Sequence, residues 1–290
     1  MSAGDPAGAP AALDRVLPLL ACPLCSAPLT RDDRVIGCPN GHRFDIARQG
    51  YVTLLGSRAR TDTGDTADMV AARQQFLDAG HFAPMTRAIA DACAAGTGPV
   101  LDLGAGPGHH LRAVLDRLDG GAAEPTGVAI DASKYAARRA ARAHSRVGSV
   151  VADAWSRLPV RDGAVGTVLS VFAPRDPTEI VRILRSGGRV VVVTPTPEHL
   201  AELRGRVDLL SVDADKADRL RDGWAGALEA AGRQDVRSVM RLRPEEVDLL
   251  IRMGPSAHHL SGERRRAAVA GLDEVTEVTL AVTVSVFTAR

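Results

Sequence analysis

Between residues 98 and 195 the sequence alternates short apolar runs with stretches of helical periodicity, and this alternation constrains the fold more than any other feature. The apolar runs have the length of buried strands and are too short for buried helices. Strands separated by helices form βαβ units, so the pattern predicts an α/β fold with a mostly parallel sheet. The five predicted strands are PVLDLGAG, TGVAIDAS, GSVVADA, GTVLSVF and GRVVVVTP.

The chain ends in an extended run of Val and Thr, EVTEVTLAVTVSVFTA at residues 274–289. The alternation of Val with Thr is typical of a strand, and its position after the parallel units predicts an antiparallel strand that closes the sheet. Ahead of the sheet, a helix is predicted over residues 68–78, with Thr66 or Asp68 as its cap. Its apolar face comprises Met69, Ala72 and Phe76.

Three of the four cysteines and one histidine occur between residues 22 and 42, in the spacing C-x2-C-x12-C-x3-H. Two ligand pairs on two tight knuckles supply the four corners of a structural zinc site. A module of this size buries too little apolar surface to fold alone, so the metal would supply the missing stability. We predict one structural Zn²⁺ on Cys22, Cys25, Cys38 and His42.

Other roles for these thiols are less well supported. A redox C-x-x-C precedes a helix in a thioredoxin-like fold, which this pattern does not predict. The segment VLPLLAC resembles the end of a lipoprotein signal, but the residues before it contain two acids, a single arginine and several prolines, and its apolar core is too short for such a signal. Cys93, on an Ala-rich helix, is predicted to be an ordinary buried thiol.

A glycine loop follows the first predicted strand in VLDLGAGPGHHL, residues 100–111. Glycines there let the backbone approach a nucleoside cofactor, and the loop lacks the G-x-x-G/A ending of dinucleotide folds. Asp102 precedes the loop, Asp131 ends the next strand, and Asp153 follows the third. Asp131 could bind both ribose hydroxyls or simply cap a helix, and Asp153 could reach an adenine amino group. Together these features resemble the class I S-adenosylmethionine-dependent methyltransferase fold, over residues 98–290.

The net charge of +1 excludes a global electrostatic signature of nucleic-acid binding. Two segments are locally basic, residues 22–60 and residues 132–152, although with only two lysines the arginine content reflects composition as much as function. No apolar run approaches the roughly 18 residues of a membrane span, so we expect no membrane association and a cytoplasmic location.

The order of motifs resembles a known family along nearly the whole chain from Cys22. CPNGHRFDIARQGYVTLL, GDTADMVAARQQFLDAGHFAPM, VLDLGAGPG, FAPR and TPTPEHLAEL occur in this order. The set is similar to the 23S rRNA guanine-N1 methyltransferases of the RlmA/TlrB type, and is most similar to the branch tied to tylosin and mycinamycin-type macrolide resistance. The resemblance implies S-adenosylmethionine as cofactor, 23S rRNA as partner, methylation of a guanine N1 in a hairpin lining the peptide exit tunnel, and a homodimer.

Carried over onto this sequence, the resemblance implies zinc on the Cys/His tetrad and cofactor contacts on the glycine loop, with Phe82 and His199 as additional contacts. The sequence departs from the family at Ala105, and at Phe82, where a tyrosine is common and where phenylalanine lacks its hydroxyl. The loop, the acidic residues and the resemblance together predict these cofactor-binding residues: Phe82, Asp102, Gly104, Gly106, Pro107, Gly108, His109, Asp131, Asp153 and His199.

Methylation at N1 requires an unpaired guanine, because N1 lies on the Watson–Crick edge. Phe172 is a candidate platform for that base, although it could equally be a core aromatic. Asp176 and His199 are candidates for the group that removes the N1 proton. The zinc module would grip RNA through phosphate contacts, although each of its arginines taken singly could be solvated surface. The predicted RNA-binding set is Arg31, Arg34, Arg43, Arg48, Arg58 and Arg60.

The predicted organisation is a disordered tail over 1–14, a zinc-binding module over 15–55, a linker and helical region over 56–97, and the methyltransferase domain over 98–290. Two other functions stay open on these patterns. A small-molecule methyltransferase would use the same glycine loop but would leave the zinc module without a purpose. An RNA- or ribosome-binding protein that has lost activity is disfavoured by the intact loop and Asp131.

Overall fold

The computed structural model describes residues 8–56, 64–119, 124–173, 176–204, 224, 226–254 and 261–289. The helices are α1 (Gly8–Val16), α2 (Ala67–Asp78), α3 (Ala83–Cys93), α4 (His109–Arg117), α5 (Lys134–Ala140), α6 (Pro177–Ile183), α7 (Ala201–Arg204), α8 (Pro244–Arg252) and α9 (Gly262–Ala270). The strands are β1 (Thr30–Asp32), β2 (Val35–Gly37), β3 (Arg43–Asp45), β4 (Tyr51–Thr53), β5 (Val100–Leu103), β6 (Gly127–Asp131), β7 (Val147–Val151), β8 (Val165–Val171), β9 (Leu184–Pro195), β10 (Leu228–Leu242) and β11 (Thr276–Ala289).

The main sheet has eight strands in the order β10-β11-β9-β8-β5-β6-β7-β4. Strands β4 to β9 run parallel, and β11 is antiparallel to both β9 and β10. The five predicted strands and the closing antiparallel strand are therefore confirmed. Their apolar runs are buried because helices cover both faces of a parallel sheet, which excludes water from both sides of each central strand.

Strand β10 was not predicted from the sequence. It is 15 residues long, pairs with β11 along its length, and is interrupted by an irregularity between Ala230 and Gly232. Most of its side chains are exposed, and polar residues occupy both faces of its first half. An edge strand of this kind needs only one neighbour and one partly covered face, so it carries no clear apolar alternation.

Helix α1 corrects the prediction of a disordered tail over residues 1–14. Leu13 and Val16 are fully buried, and α1 packs on β7. A Cβ at Gly148 of β7 would lie 2.1 Å from a methyl carbon of Val16, so only glycine leaves room for this helix. The prediction was wrong for the part of the tail that α1 contains, because its apolar side chains find a partner in the sheet. Residues 1–7 lie outside the described residues.

The N-terminal module is joined to the main sheet. Strands β1, β2 and β3 form a small antiparallel sheet, while β4 pairs in parallel with β7, with Tyr51 opposite Ser149. Leu20, Ile36 and Val52 are fully buried in the same apolar cluster as Leu101 of β5. The zinc-binding segment therefore shares a hydrophobic core with the large sheet.

Helix α2 confirms the prediction of a helix near residues 68–78. Thr66 is its N-cap, and the Thr66 hydroxyl oxygen accepts a hydrogen bond from the backbone N–H of Met69 at 3.3 Å. The predicted apolar face, Met69, Ala72 and Phe76, is buried. Among the described residues, no helix has both the length and the apolar character that a membrane span requires.

Candidate active site and metal centre

The four predicted zinc ligands converge. Their ligand atoms all lie within 4.8 Å of one another. The Sγ atoms of Cys25 and Cys38 are 3.7 Å apart, and Nδ1 of His42 lies 3.4 Å from the Sγ atoms of Cys22 and Cys38. A tetrahedron with Zn–S distances of about 2.3 Å has S–S edges of about 3.8 Å. The spacing of the donors therefore fits a closed, structural Cys₃His zinc site.

Two tight turns hold these ligands in place. In the first, the N–H of Ser26 donates to the carbonyl oxygen of Cys22 at 2.8 Å. In the second, the N–H of Gly41 donates to the carbonyl oxygen of Cys38 at 3.0 Å, and Gly41 has a φ of +83°, which favours glycine. Burial raises the pKa of Cys22, whereas a hydrogen bond from the backbone of Ala27 lowers the pKa of Cys25.

The glycine loop lies between β5 and α4 and leaves no room for side chains at two of its glycines. A Cβ at Gly104, where φ is +73°, would lie 2.6 Å from the Cβ of Ala173. A Cβ at Gly108, where φ is +81°, would lie 2.9 Å from the Cβ of Ala143. The absence of side chains at these positions lets a nucleoside cofactor approach the loop backbone closely.

Asp131 at the end of β6 is tied to the loop. Its carboxylate accepts hydrogen bonds from the N–H groups of Gly106 at 2.9 Å and Ser133 at 2.8 Å. Burial raises its pKa, partly opposed by these two donors. Asp102 is 2% exposed, and burial together with the neighbouring Asp131 raises its pKa to about 8. Asp102 is therefore mostly protonated at neutral pH, and Asp131 lies near enough for its charge to contribute to this shift.

Asp153 lies two residues beyond β7 and is 3% exposed. Its oxygens accept hydrogen bonds from the N–H of Trp155 and the hydroxyl of Ser156, both at 2.9 Å. This turn leaves Trp155 58% exposed. Sequence reasoning missed Trp155, although a signal was present: a large aromatic residue two positions after a predicted adenine-binding aspartate.

Three of the predicted residues form an aromatic row. The ring of His199 lies 5.7 Å from that of Phe172 and 6.3 Å from that of Phe82. Phe82 is buried, whereas Phe172, directly after β8, is 39% exposed and has a φ of +54°. A phenylalanine in the left-handed region is uncommon and costs about 1–2 kcal/mol. The backbone therefore holds the Phe172 ring outward at an energetic cost.

The protonation state of His199 follows from its hydrogen bond. Its Nδ1 is 3.2 Å from the backbone nitrogen of Ala281 in β11, which can only donate. Burial, reinforced by the charge of Arg204, lowers the pKa of His199 to about 4. A neutral imidazole that accepts at Nδ1 carries its proton on Nε2.

Two other candidates have structural partners. Asp176 is the N-cap of α6, where its carboxylate accepts a hydrogen bond from the N–H of Thr178 at 2.9 Å. His109 begins α4 with its Nδ1 4.0 Å from a carboxylate oxygen of Asp78, and burial lowers its pKa. Sequence motif residues 174 and 175, which contribute to FAPR, lie outside the described residues.

The segment before and within α2 covers the cofactor loop, which the sequence did not predict. Arg73 forms an ion pair with Asp65 and donates to the carbonyl oxygen of Met253 at 2.6 Å. A Cβ at Gly106 would lie 3.4 Å from an Arg73 nitrogen. The hydroxyl of Ser133 donates to the carbonyl oxygen of Asp65 at 2.6 Å. These long-range contacts carry no local sequence signal.

The predicted RNA-binding arginines differ in their contacts. Arg31 pairs with Asp14 at 2.9 Å, and Arg34 donates to the carbonyl oxygen of Ile46 at 3.3 Å. Arg43 is exposed and lies 3.8 Å from an exposed carboxylate, and Arg48 is exposed. Arg58 and Arg60 lie outside the described residues.

Comparison with known proteins matches both parts of the chain. Residues 20–60 match the zinc-ribbon family described as RlmA, N-terminal, and residues 100–191 match a methyltransferase domain family. The 23S rRNA (guanine(748)-N(1))-methyltransferase of Streptomyces fradiae is 47% identical over 93% of this chain and 97% of its own length. The chain belongs to the 23S rRNA (guanine-N1)-methyltransferase family. The resemblance inferred from the motifs is confirmed.

Two other relatives match. A protein of Micromonospora griseorubida, described as a candidate 23S rRNA (guanine-N(1)-)-methyltransferase, is 47% identical over 92% of this chain and 96% of its own length. A similarly described protein of Bacillus subtilis is 32% identical over 64% of this chain and 67% of its own length. As a member of this family the chain is an S-adenosylmethionine-dependent enzyme, and its zinc ribbon carries a structural zinc.

Proposed function

We propose that this protein transfers the methyl group of S-adenosylmethionine to N1 of a guanine in 23S rRNA. The observation that carries the proposal is the 47% identity to the Streptomyces fradiae enzyme over 93% of the chain. The glycine loop that excludes side chains, the hydrogen-bonded Asp131 and the converging Cys/His tetrad support it. Residues of the loop, with Asp131 and Asp153, would hold the cofactor.

The cofactor supplies an already activated methyl group, so the protein chiefly aligns the acceptor nitrogen with it. The acceptor guanine has to leave its base pair before N1 is accessible. Phe172 is suited to hold it, because its ring is half-exposed directly after β8. Its next residue, Ala173, adjoins Gly104 of the cofactor loop, which brings the platform beside the methyl donor.

His199 serves as a hydrogen-bond donor in this proposal. As N1 loses its proton to solvent water, negative charge develops on the guanine O6. The Nε2–H of a neutral His199 beside Phe172 is suited to stabilise that charge. A proton-accepting role is disfavoured, because Nδ1 is occupied and the pKa of the ring is lowered to about 4. Asp176 is disfavoured as a base because its carboxylate caps α6.

The finer parts of the assignment rest on the family. They are a target guanine in the hairpin lining the peptide exit tunnel, support of resistance to tylosin or mycinamycin-type macrolides, a homodimer, and a cytoplasmic location. In the zinc module, Arg43 and Arg48 are exposed, and the contact of Arg43 with a carboxylate is a long one of 3.8 Å, so these two arginines are best placed for RNA phosphates. Arg31 instead pairs with Asp14 of α1 at 2.9 Å, and Arg34 donates to a backbone carbonyl oxygen. The metal stabilises this module rather than taking part in chemistry.

Primer extension on 23S rRNA tests the proposal. RNA from cells that express the protein is compared with RNA from cells that express the Asp131→Ala variant, in which the predicted ribose contact is removed. An N1-methyl group blocks base pairing, so the wild type should produce a discrete stop that the variant lacks. No new stop in 23S rRNA would overturn the proposal. If the wild-type protein then still bound S-adenosylmethionine, the result would favour a small-molecule methyltransferase. If it did not bind the cofactor, the result would favour an inactive RNA-binding protein.

A further inference from the structure

A basic cavity of about 750 Å³ lies among α2, α4 and α5. Four of the described residues that line it are arginines, and Asp68 is the carboxylate among them. Pro107 and His109, two of the predicted cofactor-binding residues, also line it, but Asp131, Phe172 and His199 do not. The cavity therefore borders the cofactor loop at Pro107 and lies apart from Asp131 and from the proposed guanine site. The arginines are Arg112, Arg138, Arg139 and Arg142.

In the lining of this cavity, positive charge exceeds negative charge, with four arginines against one aspartate. None of its four arginines has a carboxylate oxygen within 4.0 Å there. Arginines nearby behave differently: Arg117 in α4 pairs with Asp91, and Arg146 after α5 pairs with Asp119. Guanidinium groups concentrated around one concavity repel each other unless an anion is bound there.

The chemistry of the lining indicates the class of anion. Guanidinium groups match phosphate geometry in a planar, bidentate manner. The volume exceeds that of a single phosphate, and the ring of Tyr135, 40% exposed, is available for base stacking. The ammonium of Lys134 lies 5.3 Å from the centre of that ring and adds to the positive charge. Phosphate groups together with a stackable base are characteristic of single-stranded or looped RNA.

The cavity is close to the proposed acceptor site along the chain. Pro107 is three residues from Gly104, a span of at most about 11 Å, and Gly104 adjoins Ala173, next to Phe172. We infer that this arginine cavity binds the sugar-phosphate backbone of the substrate RNA, at nucleotides flanking the target guanine. The inference rests on the proposed function and adds a second RNA contact, apart from the zinc module.

The test compares the double variant Arg138→Ala/Arg142→Ala with Arg264→Ala/Arg266→Ala, which removes two exposed arginines from α9. Unmodified 23S rRNA transcript is the probe. The cavity variant should have a KM for this RNA about tenfold higher than the wild type. The slope of log binding constant against log salt concentration should become shallower by about 0.7 for each phosphate contact removed. The kcat and the affinity for S-adenosylmethionine should stay at wild-type values. The α9 variant should match the wild type.

An RNA KM and a salt slope equal to those of the wild type would overturn the inference. An equal loss in both double variants would also overturn it, since any two surface charges would then suffice. Direct binding of the transcript separates this inference from the proposed function. RNA binding that depends on Arg138 and Arg142 in a protein that methylates no guanine would overturn the proposed function and leave the cavity assignment standing.

Discussion

The backbone N–H of Ala281 donates a hydrogen bond to Nδ1 of His199 at 3.2 Å. This contact joins β11, the last strand, to a residue that follows β9 in the chain. It assigns the proton of the neutral ring to Nε2, on the opposite edge of the imidazole. A residue that the sequence offered as a candidate base thus becomes a candidate N–H donor.

We expect His199→Phe to lower kcat by about 10²- to 10³-fold, as loss of one donor to a developing oxyanion does. His199→Gln retains a side-chain N–H and should keep more of the activity. The KM for RNA should change little in both. Because the pKa of His199 is lowered to about 4, the ring stays neutral between pH 6 and 8. An inflection in wild-type kcat near pH 6.5 that disappears in His199→Gln would contradict the donor role.

Phe172 offers a test that separates its ring from its backbone. Phe172→Ala and Phe172→Gly both remove the platform, so each should lower kcat/KM for RNA by about ten- to a hundredfold, from the loss of 1–3 kcal/mol of base stacking. At a φ of +54°, glycine carries no Cβ strain. The free energy of unfolding of the glycine variant should therefore be about 1 kcal/mol higher than that of the alanine variant.

Chemical denaturation of the two Phe172 variants measures that difference. Equal stabilities would show that the left-handed backbone at Phe172 is not strained. Unchanged methylation in both variants would show that Phe172 is not part of the acceptor site. Phe172→Tyr retains an aromatic ring and serves as the matched control for activity.

Removal of the zinc should destabilise the whole protein, because Leu20, Ile36 and Val52 share a core with β5 of the large sheet. Cys38→Ser should lower the bound zinc from one ion per chain to none and lower the thermal midpoint of the entire unfolding transition. Cys93→Ala is the matched control, since Cys93 is buried away from the tetrad and should leave the zinc content unchanged. Elemental analysis and calorimetry provide the two readouts. A lower midpoint confined to a separate, early transition would contradict the shared core.

Asp102 should make the cofactor-free protein less stable as the pH rises. Its pKa in the folded protein, about 8, exceeds its pKa in the unfolded chain. At a pH between these two pKa values, the folded protein therefore binds one more proton than the unfolded chain. The free energy of unfolding should therefore fall by about 1 kcal/mol per pH unit between pH 5 and 7 from this group alone. Asp102→Asn should remove that slope. Urea denaturation at several pH values measures it, and identical slopes in both proteins would contradict the raised pKa.

The features that were predictable from the sequence are local ones. A buried parallel strand needs a continuous apolar run, a close cofactor approach needs glycine, and a zinc knuckle needs cysteines at short spacing. Each requirement therefore leaves a mark within a few neighbouring residues, as in β5, the loop at Gly104 and the tetrad at Cys22. Helix α2 was predictable for the same reason, since Thr66 caps a short amphipathic pattern.

The remaining features depend on residues far apart in the chain. The pairing of β4 with β7, the cover that Arg73 forms over the loop, the tautomer of His199 and the arginine cavity all join separate elements. Periodicity and spacing report only what neighbouring residues need, because they contain no information on which distant surface a side chain meets. Strand β10 illustrates the limit: it is ordered by hydrogen bonds to β11 and not by an apolar pattern of its own.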